Sequence, residues 1–417
     1  MNYKITPPAH RSRLAFDLPL SKSMSNRALL ISALTKGGID DSIQFADCDD
    51  TQAMKLGLLK AVEGGNVNVG AAGTAMRFLT AFFASRPGVE VVLDGSERMR
   101  KRPIGLLVDA LKSIGADITY EMEDGFPPLK IKGRGLKGGV VKIPGSISSQ
   151  YISALMMIGP TMTDGLTIKL EGKIISLPYI LMTAVMMMRA GVNVMFHDRK
   201  IEISHSEYLT VKWAIEGDWS GASYWYELTA SGATNGVRLG NLRQESIQGD
   251  SAVARYFDQL GVDTSFIEEK GGGVALLSHT NKLVDSLDID LTGQPDIAQT
   301  IAVTSFLLGI PFNISGLSTL PSKETDRLQA LQSELRRLGC NIKIINNEAI
   351  SWDGKKCTPD ANPRIKTYDD HRMAMAFAPA AVSFPGLIIE DIEVVSKSYP
   401  EFWNNLAGAG FKLEVVK

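Results

Sequence analysis

Apolar and polar positions alternate along the chain in two interleaved series. In the first, an amphipathic helix runs into glycine and then a short β-type run: LLKAVEGGNVNV, LVDALKSIGADITY, LMTAVMMMRAGVNVMF, ARYFDQLGVDTSF, ELRRLGCNIKII and NNLAGAGFKLEVV. The glycines are Gly65, Gly115, Gly191, Gly261, Gly339 and Gly410, at separations of 50, 76, 70, 78 and 71. Glycine suits the position after a helix, where a left-handed residue turns the chain into a strand. The second series consists of helices rich in Ala, Leu and Met. They begin near Ser25, Gly73, Ser149, Gly221, Asp296 and Asp370, at separations of 48, 76, 72, 75 and 74. A helix apolar nearly all round must be buried. The two series stay in phase, so each unit of roughly 70 residues holds an inner helix, an outer helix and short strands between them. Alternating strands and helices predict an α/β fold. No strand is followed by GxGxxG and no GxxxxGK[ST] loop occurs, which leaves nucleotide-binding folds of those types without support.

A chain of 417 residues exceeds the ~250–300 at which one core stops growing, so six units divide into two domains of about three each. The 44% hydrophobic and 22% charged fractions are those of a globular protein. A net charge of −2 gives no support for a polyanion-binding surface, and no nucleic-acid partner is expected. Cys48, Cys340 and Cys357 lie far apart, which excludes a disulfide framework and fits a reducing cytoplasm. Met1–Arg13 lacks the apolar run of a signal peptide. The longest uncharged stretch, Ile297–Ser322, is too interrupted by polar residues to span a bilayer and is expected to be a buried helix. A cytoplasmic protein without a membrane partner is the expectation.

Candidate chemistry gathers at the helix starts. Inner helices open with Lys22, Ser23, Asn26 and Arg27; with Gly73, Thr74 and Arg77; with Ser148, Ser149 and Gln150; with Asp218 and Ser220; with Asp296; and with Asp370, His371 and Arg372. Outer helices open near Arg102, Ser176 to Tyr179, Lys323 to Arg327, and Lys397 to Tyr399. Capping accounts for many of the Ser, Thr and Asp residues. It does not account for the cations, which the helix dipole opposes at an N-terminus. Lysines and arginines there predict a site for an anion with several negative charges, such as phosphate and carboxylate groups.

Eight segments carry a resemblance that covers nearly the whole chain: LPLSKSMSNRALL (18–30), AGTAMRFLTA (72–81), RMRKRPIGLLVDAL (98–111), PGSISSQY (144–151), SLPY (176–179), KETDRL (323–328), DDHRMAMA (369–376) and KSYPEFW (397–403). In order and spacing they resemble the 5-enolpyruvylshikimate-3-phosphate synthase family, the enolpyruvyl transferases of the shikimate pathway. The resemblance implies a two-domain enolpyruvyl transferase fold (an inside-out α/β barrel) of six βαβαββ units, three per domain. Residues 1–18 and 216–417 would form one domain and 19–215 the other. The implied substrates are shikimate 3-phosphate and phosphoenolpyruvate, bound as the domains close, with no metal or organic cofactor and with a monomer expected. Shikimate 3-phosphate would be held by Lys22, Ser23, Arg27, Ser148, Ser149, Gln150, Ser176, Tyr179, Asp296, Thr319 and Lys323. Phosphoenolpyruvate would meet Lys22, Gly73, Arg102, Gln150 and Lys397, with its carboxylate on Arg327 and Arg372. Asp296 is implied as the base, Glu324 as the acid, and Lys22 as a participant in proton transfer.

The chain departs from that pattern at four places. Leu20 replaces a glycine, Ala71 an asparagine, Phe78 a proline found in many members, and Thr319 an asparagine beside the shikimate phosphate. Two other readings remain open at this point. One is the related transferase acting on UDP-N-acetylglucosamine, although none of the three cysteines lies in that family's reactive-loop context. The other is a non-catalytic anion-binding relative.

Overall fold

The computed structural model describes residues 1–269 and 272–417. The chain forms two compact units, Met1–Leu20 with Glu216–Lys417, and Ser21–Ile215, so the second is inserted into the first. Among the described residues no helix is long and apolar enough to cross a membrane.

The inserted unit contains α1 (Lys22–Leu34), α2 (Asp49–Glu63), α3 (Gly73–Ala84), α4 (Gly105–Ser113), α5 (Ser149–Ile158) and α6 (Leu177–Arg189). Its inner helices are α1, α3 and α5, and all twelve residues of α3 are buried. Full burial of Phe78, Phe82 and Phe83 stabilises this core by roughly 1.5–3 kcal/mol each relative to exposure. Two four-stranded sheets flank the helices. One orders Gly65–Asn68, Glu90–Asp94, Leu129–Lys132 and Asp117–Tyr120; the other orders Gly139–Pro144, Leu166–Glu171, Lys200–Ile203 and Val194–His197.

The discontinuous unit contains α7 (Trp219–Ala230), α8 (Val253–Asp258), α9 (Ala298–Leu308), α10 (Arg327–Arg337), α11 (His371–Phe377) and α12 (Phe402–Gly408). Its core lies around α7, α9 and α11, with Trp219, Trp225, Phe306 and Phe377 almost wholly enclosed. Three four-stranded sheets surround it. In one, Leu287–Asp290 pairs in parallel with Phe312–Ser315, which pairs antiparallel with Ala349–Trp352. That order, a parallel pair across the inner helix followed by a hairpin after the outer helix, recurs in the sheets of both units.

All six glycines of the outer series take positive φ, from 82° at Gly261 to 98° at Gly115, as helix-terminating glycines should. The expectation of six complete units requires correction. Five four-stranded sheets occur among the described residues, and the first unit of the inserted domain has its helices α1 and α2 without a sheet of its own. Only Gly64 separates α2 from Gly65–Asn68, a strand that belongs to the next sheet, so no chain is left for the hairpin that follows the outer helix elsewhere. Leu56 and Leu59 of α2 remain 63% and 58% exposed.

Candidate active site

In the inserted unit, Ser21 caps α1 by accepting from the Met24 amide, which sets Lys22 as the first helical residue. Lys22 Nζ lies 3.0 Å from Asp50 Oδ2 in the first turn of α2. Arg27, one turn into α1, is 2% exposed and ties three helices together. Its Nε donates to Thr183 Oγ1 (2.7 Å), its Nη1 to the Ser23 carbonyl (2.9 Å), and its Nη2 to Ser153 Oγ (3.2 Å) and the Tyr179 carbonyl (3.4 Å). The guanidinium also lies 5.4 Å from the Phe78 ring centre. Burial pulls Arg27 down to about 10, against a smaller opposing influence of Tyr179.

The starts of α3 and α5 are joined by Gln150 Nε2 donating to Thr74 Oγ1 at 3.0 Å, while Ser148 caps α5. Ser149 and Ser176 are buried, Ser23, Gln150 and Tyr179 partly so. Ser176 precedes α6 at φ 52°, a left-handed conformation unusual for serine and of the kind found at functional sites. Arg102 packs over Gly73 so closely that a Cβ there would sit 2.5 Å from Nη1. Arg77 braces the Arg102 turn by donating to the carbonyls of Gly73 (3.1 Å) and Pro103 (3.2 Å), and Tyr151 Oη donates to the latter as well. Lys22, Ser23, Arg27, Gly73, Arg102, Ser148, Ser149, Gln150, Ser176 and Tyr179 thus sit at or near the starts of one set of packed helices.

In the discontinuous unit the charges converge on Asp296, which lies in a single 3₁₀ turn leading into α9. Its Oδ1 is 2.9 Å from Arg327 Nη1 and 3.1 Å from Lys323 Nζ, and its Oδ2 is 3.5 Å from Arg372 Nη2. Burial acts to raise the Asp296 carboxyl, but Lys323, Arg372 and Arg327 outweigh it and hold the group well below the usual carboxylate range. Glu324 lies between two cations, 2.9 Å from Arg327 Nη2 and 3.2 Å from Lys397 Nζ. Arg327 begins α10 and is 1% exposed; its Nε meets Asp370, the N-cap of α11, at 2.7 Å. The Thr319 hydroxyl, one short turn before Lys323, is buried without a hydrogen-bond partner among the described residues.

The expectation that cations at helix starts await a bound anion needs adjustment. Protein carboxylates already compensate much of that charge: Asp50 for Lys22, and Asp296, Glu324 and Asp370 for the four cations of the other unit. Lys397 and Arg102 also stand at the ends of 3₁₀ turns rather than in a first helical turn. Sequence reasoning named Thr74 at a helix start but missed Asp50, Ser153 and Thr183 as partners. A signal existed for two of them: Ser153 and Thr183 follow Ser149 and Tyr179 by one turn and interrupt otherwise apolar faces.

Fold and site together define a protein of the α/β class with clustered cationic, hydroxyl and carboxylate side chains at or near helix starts in both units. A sequence model of EPSP synthase (3-phosphoshikimate 1-carboxyvinyltransferase) matches residues 55–406. A Bacteroides fragilis protein named 3-phosphoshikimate 1-carboxyvinyltransferase is 46% identical over 419 residues, covering 100% of this chain and 99% of that one. A Haemophilus influenzae protein of the same name is 36% identical, covering 93% of this chain and 94% of its own. The solved structure of EPSP synthase from Acinetobacter baumannii superposes with a TM-score of 0.74 at 20% identity, covering 99% of this chain and 100% of that one, and so shares the fold. The chain belongs to the EPSP synthase family.

Proposed function

We propose that this protein transfers the enolpyruvyl group of phosphoenolpyruvate to the 5-hydroxyl of shikimate 3-phosphate, giving 5-enolpyruvylshikimate 3-phosphate and inorganic phosphate in aromatic amino acid biosynthesis. Family membership supports the reaction. The observation that carries the mechanism is the placement of Asp296 among Lys323, Arg327 and Arg372 with Glu324 alongside. Those cations weaken it as a base, and substrate anions that engage them would restore its basicity. In this reading Asp296 takes the proton of the 5-hydroxyl as that oxygen attacks the central carbon of phosphoenolpyruvate, and a proton is added to the methylene carbon. The tetrahedral adduct then expels phosphate and loses a methyl proton, which restores the double bond. Glu324 and Lys22 are the proposed proton carriers. An acid acting on carbon near pH 7 needs a raised pKa. Arg327 and Lys397 beside Glu324 oppose that, and two polyanionic substrates would offset them.

In the same reading Ser148, Ser149, Ser176, Gln150, Thr319 and Lys323 hold shikimate 3-phosphate, with Ser23, Arg27 and Tyr179 near its ring. Phosphoenolpyruvate meets Lys22, Gly73, Arg102, Gln150 and Lys397, and its carboxylate meets Arg327 and Arg372. The buried, unpartnered Thr319 hydroxyl supports its assignment. We further propose a cytoplasmic monomer. Phosphate release from phosphoenolpyruvate, measured with each acceptor, tests the reading. Turnover with shikimate 3-phosphate is expected, and turnover with UDP-N-acetylglucosamine alone would overturn it.

A further inference from the structure

Arg327 and Arg372 are held in different ways. The Arg327 guanidinium is bound directly by three carboxylates, those of Asp296, Glu324 and Asp370. Arg372 instead donates from Nη1 to the Asp296 carbonyl at 3.1 Å and from Nη2 to Ser220 Oγ at 3.3 Å, with Asp296 Oδ2 at 3.5 Å. Ser220 Oγ in turn donates to Asp250 Oδ2. Asp250 is 3% exposed and sits in the 3₁₀ turn Gly249–Ala252. Gln248, just before that turn, fixes it against the start of α7: its Nε2 donates to the Gly217 carbonyl (2.8 Å) and its Oε1 accepts from the Trp219 amide (3.4 Å). The Ser220 amide is fixed as well, donating to Asp218 Oδ1 at 3.0 Å.

We infer that Ser220 and Asp250 are positioning residues that aim the Arg372 guanidinium for the substrate carboxylate. A serine hydroxyl has one proton. Committing it to the Asp250 carboxylate leaves Ser220 with only lone pairs to offer, so it must act as an acceptor toward Arg372. The carboxylate therefore orients the guanidinium through a neutral relay. Asparagine at 250 could donate to Ser220 Oγ and release the hydroxyl proton toward Arg372, where it repels.

The inference rests on the reading of Arg372 as a phosphoenolpyruvate-binding residue, and its test separates the two. Steady-state kinetics on the wild type, Ser220→Ala, Ser220→Thr and Asp250→Asn are expected to show the KM for phosphoenolpyruvate raised about tenfold in the Ala and Asn variants. In both, kcat and the KM for shikimate 3-phosphate stay within about twofold. Ser220→Thr, which keeps the hydroxyl, should return the KM toward wild type. An unchanged KM for phosphoenolpyruvate in Ser220→Ala, or an equal rise in both KM values, overturns the relay. Crystal structures of wild type and Ser220→Ala provide a second readout independent of turnover. The guanidinium should leave the Asp296 carbonyl in the variant, and an unmoved guanidinium also overturns the relay. An inert wild type with a displaced guanidinium in the variant would refute the proposed reaction and leave the positioning role standing.

Discussion

At the scale of single residues, the site is governed by how tightly charges are packed. A methyl group at Gly73 would stand 2.5 Å from Arg102 Nη1 and 3.0 Å from Arg77 Nη1. Both contacts are ends of flexible side chains, so Gly73→Ala is expected to fold and to displace Arg102. The KM for phosphoenolpyruvate should rise about tenfold, the size of one weakened charge-assisted contact. Asp296→Asn removes the proposed base while keeping its shape; kcat is expected to fall by about 10²–10⁴, and an activity within tenfold of wild type would exclude Asp296 from that role. Glu227 presents the opposite case, a carboxyl with no part in the proposed chemistry. It lies on α7, wholly buried, with neither oxygen hydrogen-bonded among the described residues, and burial raises it well above the usual carboxylate range. The folded chain therefore keeps a proton there that the unfolded chain loses above its ordinary value of 4.5. Stability from this group is fully present below that value and is lost as pH rises toward the folded-state pKa. Glu227→Gln should raise Tm by about 2–4 °C at pH 8 and by less at pH 5. Thermal unfolding at the two pH values checks the sign.

At the scale of elements, one sheet carries an unusual load. Lys142, Lys169 and Lys200 occupy directly opposed positions on three adjacent strands, and His197 continues the row on the fourth. None of the three lysines has an ion-pair partner among the described residues. The companion sheet of the same unit balances its charges instead, with Lys130 on Glu90 and Arg134 on Asp117. Like charges directly opposite cost about 0.2–1 kcal/mol per pair, so Lys169→Glu should raise stability by about 1 kcal/mol at low salt. The gain should shrink toward zero near 1 M salt, where screening is short-ranged; a gain that ignores salt would point to packing instead. These elements also show what a sequence reveals. The six glycine-terminated helices are legible because helix, glycine and strand are each encoded within a few residues. Helix-start residues such as Lys22, Arg27 and Asp296 are legible for the same reason. Their partners are not, because Arg27 meets Thr183 across 156 positions and Arg327 meets Asp370 across 43. The missing sheet left a trace in the spacing: the first glycine interval is 50 residues, where the others run from 70 to 78. A shortfall of roughly 20 residues is two short strands and their turns.

At the scale of the molecule, the insertion of one unit into another makes a topological prediction. Leu20 and Gly217 form an antiparallel bridge, and the Asp218 amide donates to the Pro19 carbonyl at 2.8 Å, so the chain leaves and re-enters the discontinuous unit at adjacent points. A segment whose two ends emerge side by side can be excised without threading, and one with its own core can fold alone. The inserted unit also carries its own fastening. Its final stretch, without helix or strand, runs back over the unit and is anchored by Trp213 Nε1 donating to Ser32 Oγ (3.0 Å), Tyr208 Oη donating to the Met157 carbonyl (2.8 Å), and the Leu209 amide donating to the Ala190 carbonyl (2.9 Å). The isolated segment Ser21–Ile215 should therefore fold cooperatively, and Trp213, the only tryptophan within it, reports that directly. Buried indole emission and a single urea transition are expected. Ending the segment at Glu207 removes two buried aromatic anchors, Tyr208 and Trp213, and should cost at least ~3 kcal/mol, the scale of one large aromatic lost from a core. Far-ultraviolet circular dichroism follows both forms. A disordered Ser21–Ile215 segment would mean that the inserted unit depends on its host for stability, and an equally stable shorter segment would mean that the final strap adds nothing.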